Sequence, residues 1–375
     1  MPRIMISCGE PSGEIYAAGI VDALRKKLPE AEVLGLGGDL LAQRDVRLVG
    51  RYGELAVIGL AEALRGLGRA RALLRRLVEA MDAWRPQVLI CVDFKEFNLR
   101  LAKAAHRRGI PVVFFVGPQL WAWRPGRAKV YARYVEKLAL LFPFETKYYE
   151  GLPIDARFVG HPSAWLAKTA KAADVRQAGL DPDHPLLLLQ PGSRAREIAH
   201  LGPVMLAAWR LLRAEFPKLQ AAVLAPAHLA HPFYDEAQAQ GVPVVRADGM
   251  AWRKAAAASL VASGTAALET AMAGTPGAIL YKLSPLSFWL GKRLVRVPYV
   301  GMPNILLGEE AMPELLQDEA TPERAAQAVR PWIADSAARK ASSEKLAALA
   351  EMLDTGRSPL HQVAEMAIEA TQGAG

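Results

Sequence analysis

Short apolar runs recur along the chain, each followed by a longer stretch in which apolar positions return at helical spacing. In the first half, Arg3–Cys8, Val33–Leu36, Gln87–Val92, Pro111–Val116 and Lys137–Phe142 predict buried strands. Strands apolar on both faces and separated by amphipathic helices belong to parallel α/β sheets. The alternation restarts with Leu186–Gln190, Leu219–Ala225, Val242–Arg246, Ser259–Ala262 and Gly277–Tyr281. The expected fold class is therefore α/β, with two doubly wound parallel-sheet domains at 1–163 and 164–320. Segment 321–375 reads as Ala-rich helices packing back on the first domain or on a partner subunit. Val159–Pro162 and the turn-rich Asp181–Pro185 mark a hinge region. In open α/β sheets ligands lie beyond the carboxyl ends of the strands, so the chemistry is expected there, in a cleft between the domains.

A chain of 375 residues, 52% hydrophobic, has length enough for two such cores. The net charge of +8 suits an anionic partner, namely phosphorylated substrates, lipid head groups or nucleic acid; a basic surface that only aids solubility is the plainer alternative. Cys8 and Cys91 are the sole cysteines, which excludes a disulfide scaffold and suits a reduced compartment. The N-terminus shows no secretion-signal pattern, and no apolar run reaches the ~20 residues that span a bilayer. Any membrane contact is thus expected to be peripheral.

The first strand ends in Gly9-Glu10-Pro11-Ser12-Gly13-Glu14, with a helix expected from Ile15. Such a turn aims free backbone N–H groups above the sheet, toward phosphate or hydroxyl groups, unless it is merely a tight connection. The dinucleotide spacing G-x-G-x-x-G is absent here and at Gly35-Leu36-Gly37-Gly38, which argues against a nicotinamide enzyme. Asp93 ends the third predicted strand, where a carboxylate either takes a proton from a sugar hydroxyl or caps the following helix. Trp121, Trp123 and Arg124 suit a sugar face, an acyl chain or a membrane interface. Ile58–Met81 reads as a helix with Leu60, Leu64, Leu67, Leu74 and Leu77 on one stripe and Arg65, Arg69, Arg71, Arg75 and Arg76 elsewhere. That pattern fits a helix lying on anionic lipid or an ordinary sheet-covering helix.

In the second half, Gln190-Pro191-Gly192-Ser193-Arg194 places Ser193 and Arg194 in a glycine turn at a helix start, a diphosphate site in which the turn supplies N–H groups and arginine a fork of donors. Ser263-Gly264-Thr265 opens another helix, and Glu269, one turn in, can accept two hydrogen bonds from a ribose diol. No His/Cys cluster suggests a metal, the one Asp-x-Asp spacing, Asp181-Pro182-Asp183, falls in the turn-rich hinge segment, and no metal or cofactor is expected beyond the sugar nucleotide as substrate.

Together these stretches, with Phe142-Pro143-Phe144-Glu145, Phe158-Val159-Gly160-His161-Pro162, and Pro303-Asn304 leading to Pro313-Glu314-Leu315-Leu316-Gln317, resemble the lipid-A-disaccharide synthase family over nearly the whole chain. The resemblance implies the GT-B architecture of two Rossmann-like domains. It implies transfer, with inversion, of 2,3-diacylglucosamine from its UDP derivative to 2,3-diacylglucosamine 1-phosphate, giving lipid A disaccharide 1-phosphate and UDP. Asp93 would be the base, with Glu96 second and Glu10 in the catalytic set. Ser12, Gly13, Asn98, Trp121, Trp123 and Arg124 would face the acceptor or the reacting sugar, and Asn304 would join Ser193, Arg194, Ser263, Gly264, Thr265 and Glu269 around the UDP. The implied setting is the inner face of the inner membrane of a Gram-negative-type bacterium, on anionic lipid, with no nucleic acid and with a homodimer among the assemblies allowed. This chain departs from the family's usual Asp-x-Pro-Asp-Phe-Asn in Lys95 and Glu96, from Asp at Glu14 and from Ser at Gly117. Rival readings on the same fold are another lipid hexosaminyltransferase, a UDP-sugar epimerase and a non-catalytic UDP-sugar-binding membrane protein.

Overall fold

The computed structural model describes residues 1–55, 60–118, 120, 126–227, 229–246, 248–282 and 299–372, with the side chains of 55 and 60–67 left aside. Two compact units emerge: Met1–Pro162 with Thr355–Gly375, and Ser163–Asp354.

The first unit carries β1 (Arg3–Cys8), β2 (Glu32–Gly37), β3 (Arg47–Arg51), β4 (Val88–Val92), β5 (Val112–Phe115), β6 (Lys137–Leu140) and β7 (Asp155–Phe158) in the order β3-β2-β1-β4-β5-β6-β7. Every pairing is parallel. Helices α1 (Pro11–Lys27), α2 (Asp39–Ala42), α3 (Leu60–Trp84), α4 (Lys95–His106) and α5 (Arg127–Tyr134) alternate with the strands. One face of the sheet is covered by Leu73, Leu77 and Met81 of α3, Leu101 and Ala105 of α4 and Tyr131 of α5, all buried. The final helix, Pro359–Gln372, packs with α1 in this same unit. A Cβ on Gly19 would lie 2.5 Å from Leu360 Cδ1, so glycine sets how closely those two helices approach. Lys27 pairs with Glu365 at 2.7 Å, and Gln362 Nε2 donates to the Val159 carbonyl at 2.8 Å.

The second unit repeats the topology. After α6 (Pro162–Thr169), β8 (Leu186–Gln190), β9 (Gln220–Leu224), β10 (Val244–Val245), β11 (Ala258–Ala262), β12 (Gly277–Tyr281) and β13 (Glu314–Leu316) form a parallel sheet in the order β10-β9-β8-β11-β12-β13. Helices α7 (Ala195–Glu215), α8 (Pro232–Ala239), α9 (Gly249–Ala255) and α10 (Thr265–Met272) flank it. Met205, Trp209 and Leu212 of α7 share a core with Val329 and Ile333 of the helix Pro322–Ala334.

Three strands escaped the apolar-run criterion. β3 and β7 are half-exposed sheet edges, and β13 is a three-residue edge, so none needs a continuous apolar run. The terminal helices, expected as one block from 321, divide: those through Met352 pack in the second unit and Pro359–Gln372 in the first. α1 begins at Pro11 and not at Ile15, since proline at the first helical position needs no amide partner. Among the described residues, no helix is long and apolar enough to cross a membrane.

Candidate active site

In each sheet the strand order reverses beside the first strand of its unit, at β1/β4 and at β8/β11. Open α/β sheets bind ligands beyond the strand ends at such a point. The sequence motifs fall on the turns that leave these four strands.

Cys8 and Val92 lie in register at the ends of β1 and β4. After β1, Glu10 is the N-cap of α1 without a side-chain cap bond, and Glu10 and Ser12 are exposed. Gly13 is buried, its Cβ position 3.7 Å from both Cys8 Cβ and the Val92 carbonyl, so it serves helix-to-strand packing and presents no side chain to a ligand. Gly9 leaves room for an aromatic ring: a Cβ there would stand 2.2 Å from the Phe94 ring. Glu14 is buried, taking the Gly38 amide at 2.7 Å and the Leu41 amide at 3.1 Å on one oxygen and the Tyr52 hydroxyl at 2.9 Å on the other. It caps α2. Burial, then the bond to Glu14, pushes the Tyr52 hydroxyl up to about 12.

β4 leaves the sheet through two consecutive non-glycine residues in the left-handed region, Asp93 at φ 47° and Phe94 at φ 48°. Each such residue costs on the order of 1–3 kcal/mol, and strain of this kind persists where surrounding contacts hold it. The N-cap of α4 is Phe94, with no side-chain cap bond, so Asp93 is not the helix cap. Its carboxylate is 31% exposed, with Lys95 Nζ 3.7 Å away.

Asn98 sits behind this turn. It is fully buried; its Oδ1 accepts from Ser7 Oγ at 2.6 Å, and its Nδ2 lies 2.8, 3.2 and 3.3 Å from the carbonyls of Asp93, Ser7 and Val92. Its polar atoms are thus spent inside the protein, and it braces the turn where a ligand contact was expected. Glu96, the second base candidate, is exposed but ion-paired to Arg127. Trp121, Trp123 and Arg124 lie outside the described residues.

The turn after β8 bends at Gly192, φ 117°. Its amides are not open: the Glu197 carboxylate accepts from Ser193 N at 3.1 Å, Arg194 N at 3.3 Å and Arg194 Nη1 at 3.1 Å. Glu197, the third residue of the helix, reaches back to the N-cap amide as in one half of a capping box, so the N–H groups expected to face a diphosphate already have an acceptor. The Arg194 side chain, 82% exposed, is what this turn presents.

The turn after β11 differs. Gly264, at φ 134° and ψ −153°, is the N-cap of α10 without any side-chain cap bond, and both it and Thr265 are exposed, with Ser263 half-buried. That backbone conformation is essentially restricted to glycine. One turn on, Glu269 is 25% exposed. Its Oε2 lies 2.9 Å from Nη2 of the buried Arg253, and its Oε1 accepts from Ser163 Oγ at 3.2 Å. Asn304 is fully buried: its amide group bonds the Met312 carbonyl and Glu314 Oε1 at 2.7 and 2.9 Å, and its Oδ1 takes the Met312 amide at 2.9 Å. Expected beside the nucleotide, it instead fixes the segment leading into β13.

For α3, Leu77 of the expected lipid-facing stripe is buried in the sheet core and Leu74 packs against it, so this part of the helix covers the sheet. Arg69, Arg71, Arg75 and Arg76 are exposed, with Arg76 paired to Glu54. The side chains of Leu60, Leu64, Arg65 and Leu67 lie outside the described set. The residue sequence reasoning missed is Arg253, which reads as one of many surface arginines. The available signal was Gln190, a polar end to the apolar run Leu186–Leu189, which needs a buried partner.

Residues 4–368 match the family model described as lipid-A-disaccharide synthetase. The lipid-A-disaccharide synthase of Koribacter versatilis is 36% identical over 366 residues, 96% of this chain and 95% of that one. That of Myxococcus xanthus is 38% identical over 356 residues, covering 94% and 92%. Among solved structures, a putative UDP-N-acetylglucosamine 2-epimerase from Listeria monocytogenes superposes with TM-score 0.65 at 14% identity, covering 99% and 96% of the two chains. MurG of Acinetobacter baumannii gives 0.60 at 14%, covering 98% and 99%; at such identities these likenesses speak for the pair of Rossmann-like folds alone. Matched across nearly its whole length in sequence and carrying two parallel-sheet Rossmann-like units, the chain belongs to the lipid-A-disaccharide synthase family of glycosyltransferases.

Proposed function

We propose that this glycosyltransferase moves 2,3-diacylglucosamine from its UDP derivative to the 6-hydroxyl of 2,3-diacylglucosamine 1-phosphate in one inverting displacement. Asp93 takes the proton as the hydroxyl oxygen attacks the anomeric carbon and the bond to UDP breaks. The observation that carries this reading is the left-handed pair Asp93-Phe94, which sets a carboxylate at the strand end without using it as a helix cap. Glu10 and Ser12, exposed on the neighbouring turn, are assigned to the reacting sugar.

The donor belongs to the second unit in this reading. Gly264 and Thr265 at the uncapped start of α10 receive the diphosphate, with Ser263 beside them, and Arg194 adds an exposed guanidinium. Charge growing on the leaving UDP is then met by fixed dipoles and a cation, so no metal is assigned. Glu269 takes the ribose hydroxyls, supported by the acceptor capacity its carboxylate keeps beyond Arg253 and Ser163. The exposed arginines of α3 are assigned to an anionic membrane surface, where the lipid substrates reside.

Formation of a labelled disaccharide 1-phosphate from UDP-diacylglucosamine and its 1-phosphate acceptor is the test. An acceptor-independent C2 epimerisation of a UDP-sugar, with no disaccharide, would sink the transferase reading in favour of the epimerase.

A further inference from the structure

A continuous polar network runs beneath the second sheet's switch point. Ser259 Oγ donates to the Leu188 carbonyl at 3.0 Å, and Gln190 Nε2 lies 2.8 Å from both Ser259 Oγ and Thr270 Oγ1. Arg253 Nε donates to Gln190 Oε1 at 3.0 Å, while Arg253 Nη2 meets Glu269 Oε2 at 2.9 Å. Gln190, Arg253, Ser259 and Thr270 are all buried, and only Glu269 at the end of the chain reaches solvent appreciably. The fork geometry of a guanidinium is what lets one side chain bind Gln190 and Glu269 together. The surrounding backbone makes room for it: a Cβ on Gly249 would stand 2.9 Å from Arg253 Nη1.

We infer that Arg253 is the positioning residue for the donor's ribose, holding the Glu269 carboxylate in one orientation so that its free acceptor sites face the sugar diol. The inference rests on the reading of Glu269 as the ribose-binding carboxylate. A carboxylate on a flexible stem would lose rotamer freedom on binding the diol; a guanidinium fixed from below removes that loss beforehand. Arg253 touches neither substrate nor reacting atoms.

Calorimetry on the full chain with UDP and 2′-deoxy-UDP tests it. Hydrogen bonds to a charged group predict that the native chain prefers UDP by about ten- to hundred-fold, and that Glu269→Gln loses most of that preference. Arg253→Met is expected to lose it as well, to within about threefold of parity, raising the donor KM while kcat at saturating donor stays within about threefold. Gly249→Ala keeps the charge and crowds the guanidinium tip most, with Leu224 Cδ2 next at 3.4 Å in ordinary contact, so it should erode the preference several-fold and decides the matter where Arg253→Met does not fold. Absence of a preference in the native chain overturns the Glu269 reading and this inference with it. A preference lost in Glu269→Gln but kept in Arg253→Met, or in Gly249→Ala where that variant decides, overturns the inference alone and leaves Arg253 a structural ion.

Discussion

At the end of β4 the chain turns through Asp93 and Phe94, two residues with side chains held at positive φ; at the end of β11 it turns through Ser263 and Gly264, with the special conformation placed on the glycine. Both turns lead from a central strand into a helix at a switch point. In the proposed reaction the first presents a carboxylate, a role that glycine could not fill at Asp93. The strain is offset by the Asn98 hydrogen bonds behind the turn and by the Phe94 ring, which fills the space above Gly9 and packs on Phe97 with centroids 5.1 Å apart. In the same proposal the second presents backbone N–H groups, and glycine adopts the required conformation without strain. A buried amide, Asn98, bonds the first turn itself, whereas the buried guanidinium of Arg253 holds Glu269, one turn into the helix that follows the second.

The sharpest way to break this contrast is to remove the carboxylate while keeping its shape. Asp93→Asn should lose about 10²–10⁴-fold in turnover and leave UDP affinity nearly unchanged, because the nucleotide contacts are assigned to the other turn. Glu96→Gln, whose parent is engaged with Arg127, should keep turnover within several-fold. Steady-state rates and calorimetry check both. Retention of more than about a tenth of the rate in Asp93→Asn, with loss in Glu96→Gln, would hand the base role to Glu96.

Next in size is the brace. Asn98→Leu leaves Ser7 Oγ and the carbonyls of Val92 and Asp93 without their buried partner, at a cost of about 2–4 kcal/mol of stability. Turnover of the folded protein should fall with it as the Asp93 turn relaxes, while UDP binding holds. Denaturant titration paired with activity at low temperature separates the two, and an unchanged kcat would show that the turn keeps its form without Asn98. Gly264→Ala probes the other turn. The added methyl meets no heavy atom within 4 Å, so its whole effect passes through the backbone at φ 134°. The strain of about 1–3 kcal/mol should weaken UDP binding about tenfold as the helix start rotates out of place. A lowered Tm with unchanged UDP affinity would show that the diphosphate binds elsewhere.

The central strands were legible in the sequence because each is buried on both faces and therefore apolar throughout: β1, β8 and β12 fall on the expected residues, whereas the edges β3, β7 and β13 carry no such constraint. The polar residues at strand ends were legible as a set but not in their roles. Asn98 and Asn304 look like ligand contacts because they are polar within functional-looking motifs. What decides otherwise is the folded contact: Asn98 meets Ser7 across 91 residues of sequence, and Asn304 closes the loop onto Met312 and Glu314, 8 and 10 residues on. Glu197 could have been read locally, since a glutamate at the third position of a helix is placed to accept from the N-cap amide. Arg253 could not, because its partners Gln190 and Glu269 come from β8 and α10 and meet it only once the sheet is assembled.

The smallest expected effect concerns the surroundings of the first turn, where burial opposes charge. Burial pushes the Glu145 carboxyl from 4.5 up to about 7, against the pull of the Phe142 and Leu141 amides and of Lys95, the same lysine that neighbours Asp93. Burial also lowers His161 from 6.5 to about 4. Between pH 4 and 6.5 the unfolded chain binds more protons at His161 than the folded one, so this group makes stability rise with pH and its contribution is lost on acidification. Between pH 4.5 and 7 the folded chain binds more protons at Glu145, so this group makes stability fall as pH rises. Each contributes a slope on the order of 1 kcal/mol per pH unit, and over pH 4.5–6.5 the two nearly cancel. The native first unit should therefore show almost flat protection from pH 5 to 6.5, read by amide hydrogen exchange in β1 and β4. Glu145→Gln removes the opposing slope and should leave protection climbing with pH across the same window. In the second unit the buried ion is Arg253; burial lowers its pKa and Glu269 partly restores it, but the guanidinium stays charged throughout this range, so exchange in β11 should be indifferent to the substitution. Identical pH profiles for native and Glu145→Gln proteins in β1 and β4 would mean that Glu145 ionises in the folded first unit without penalty.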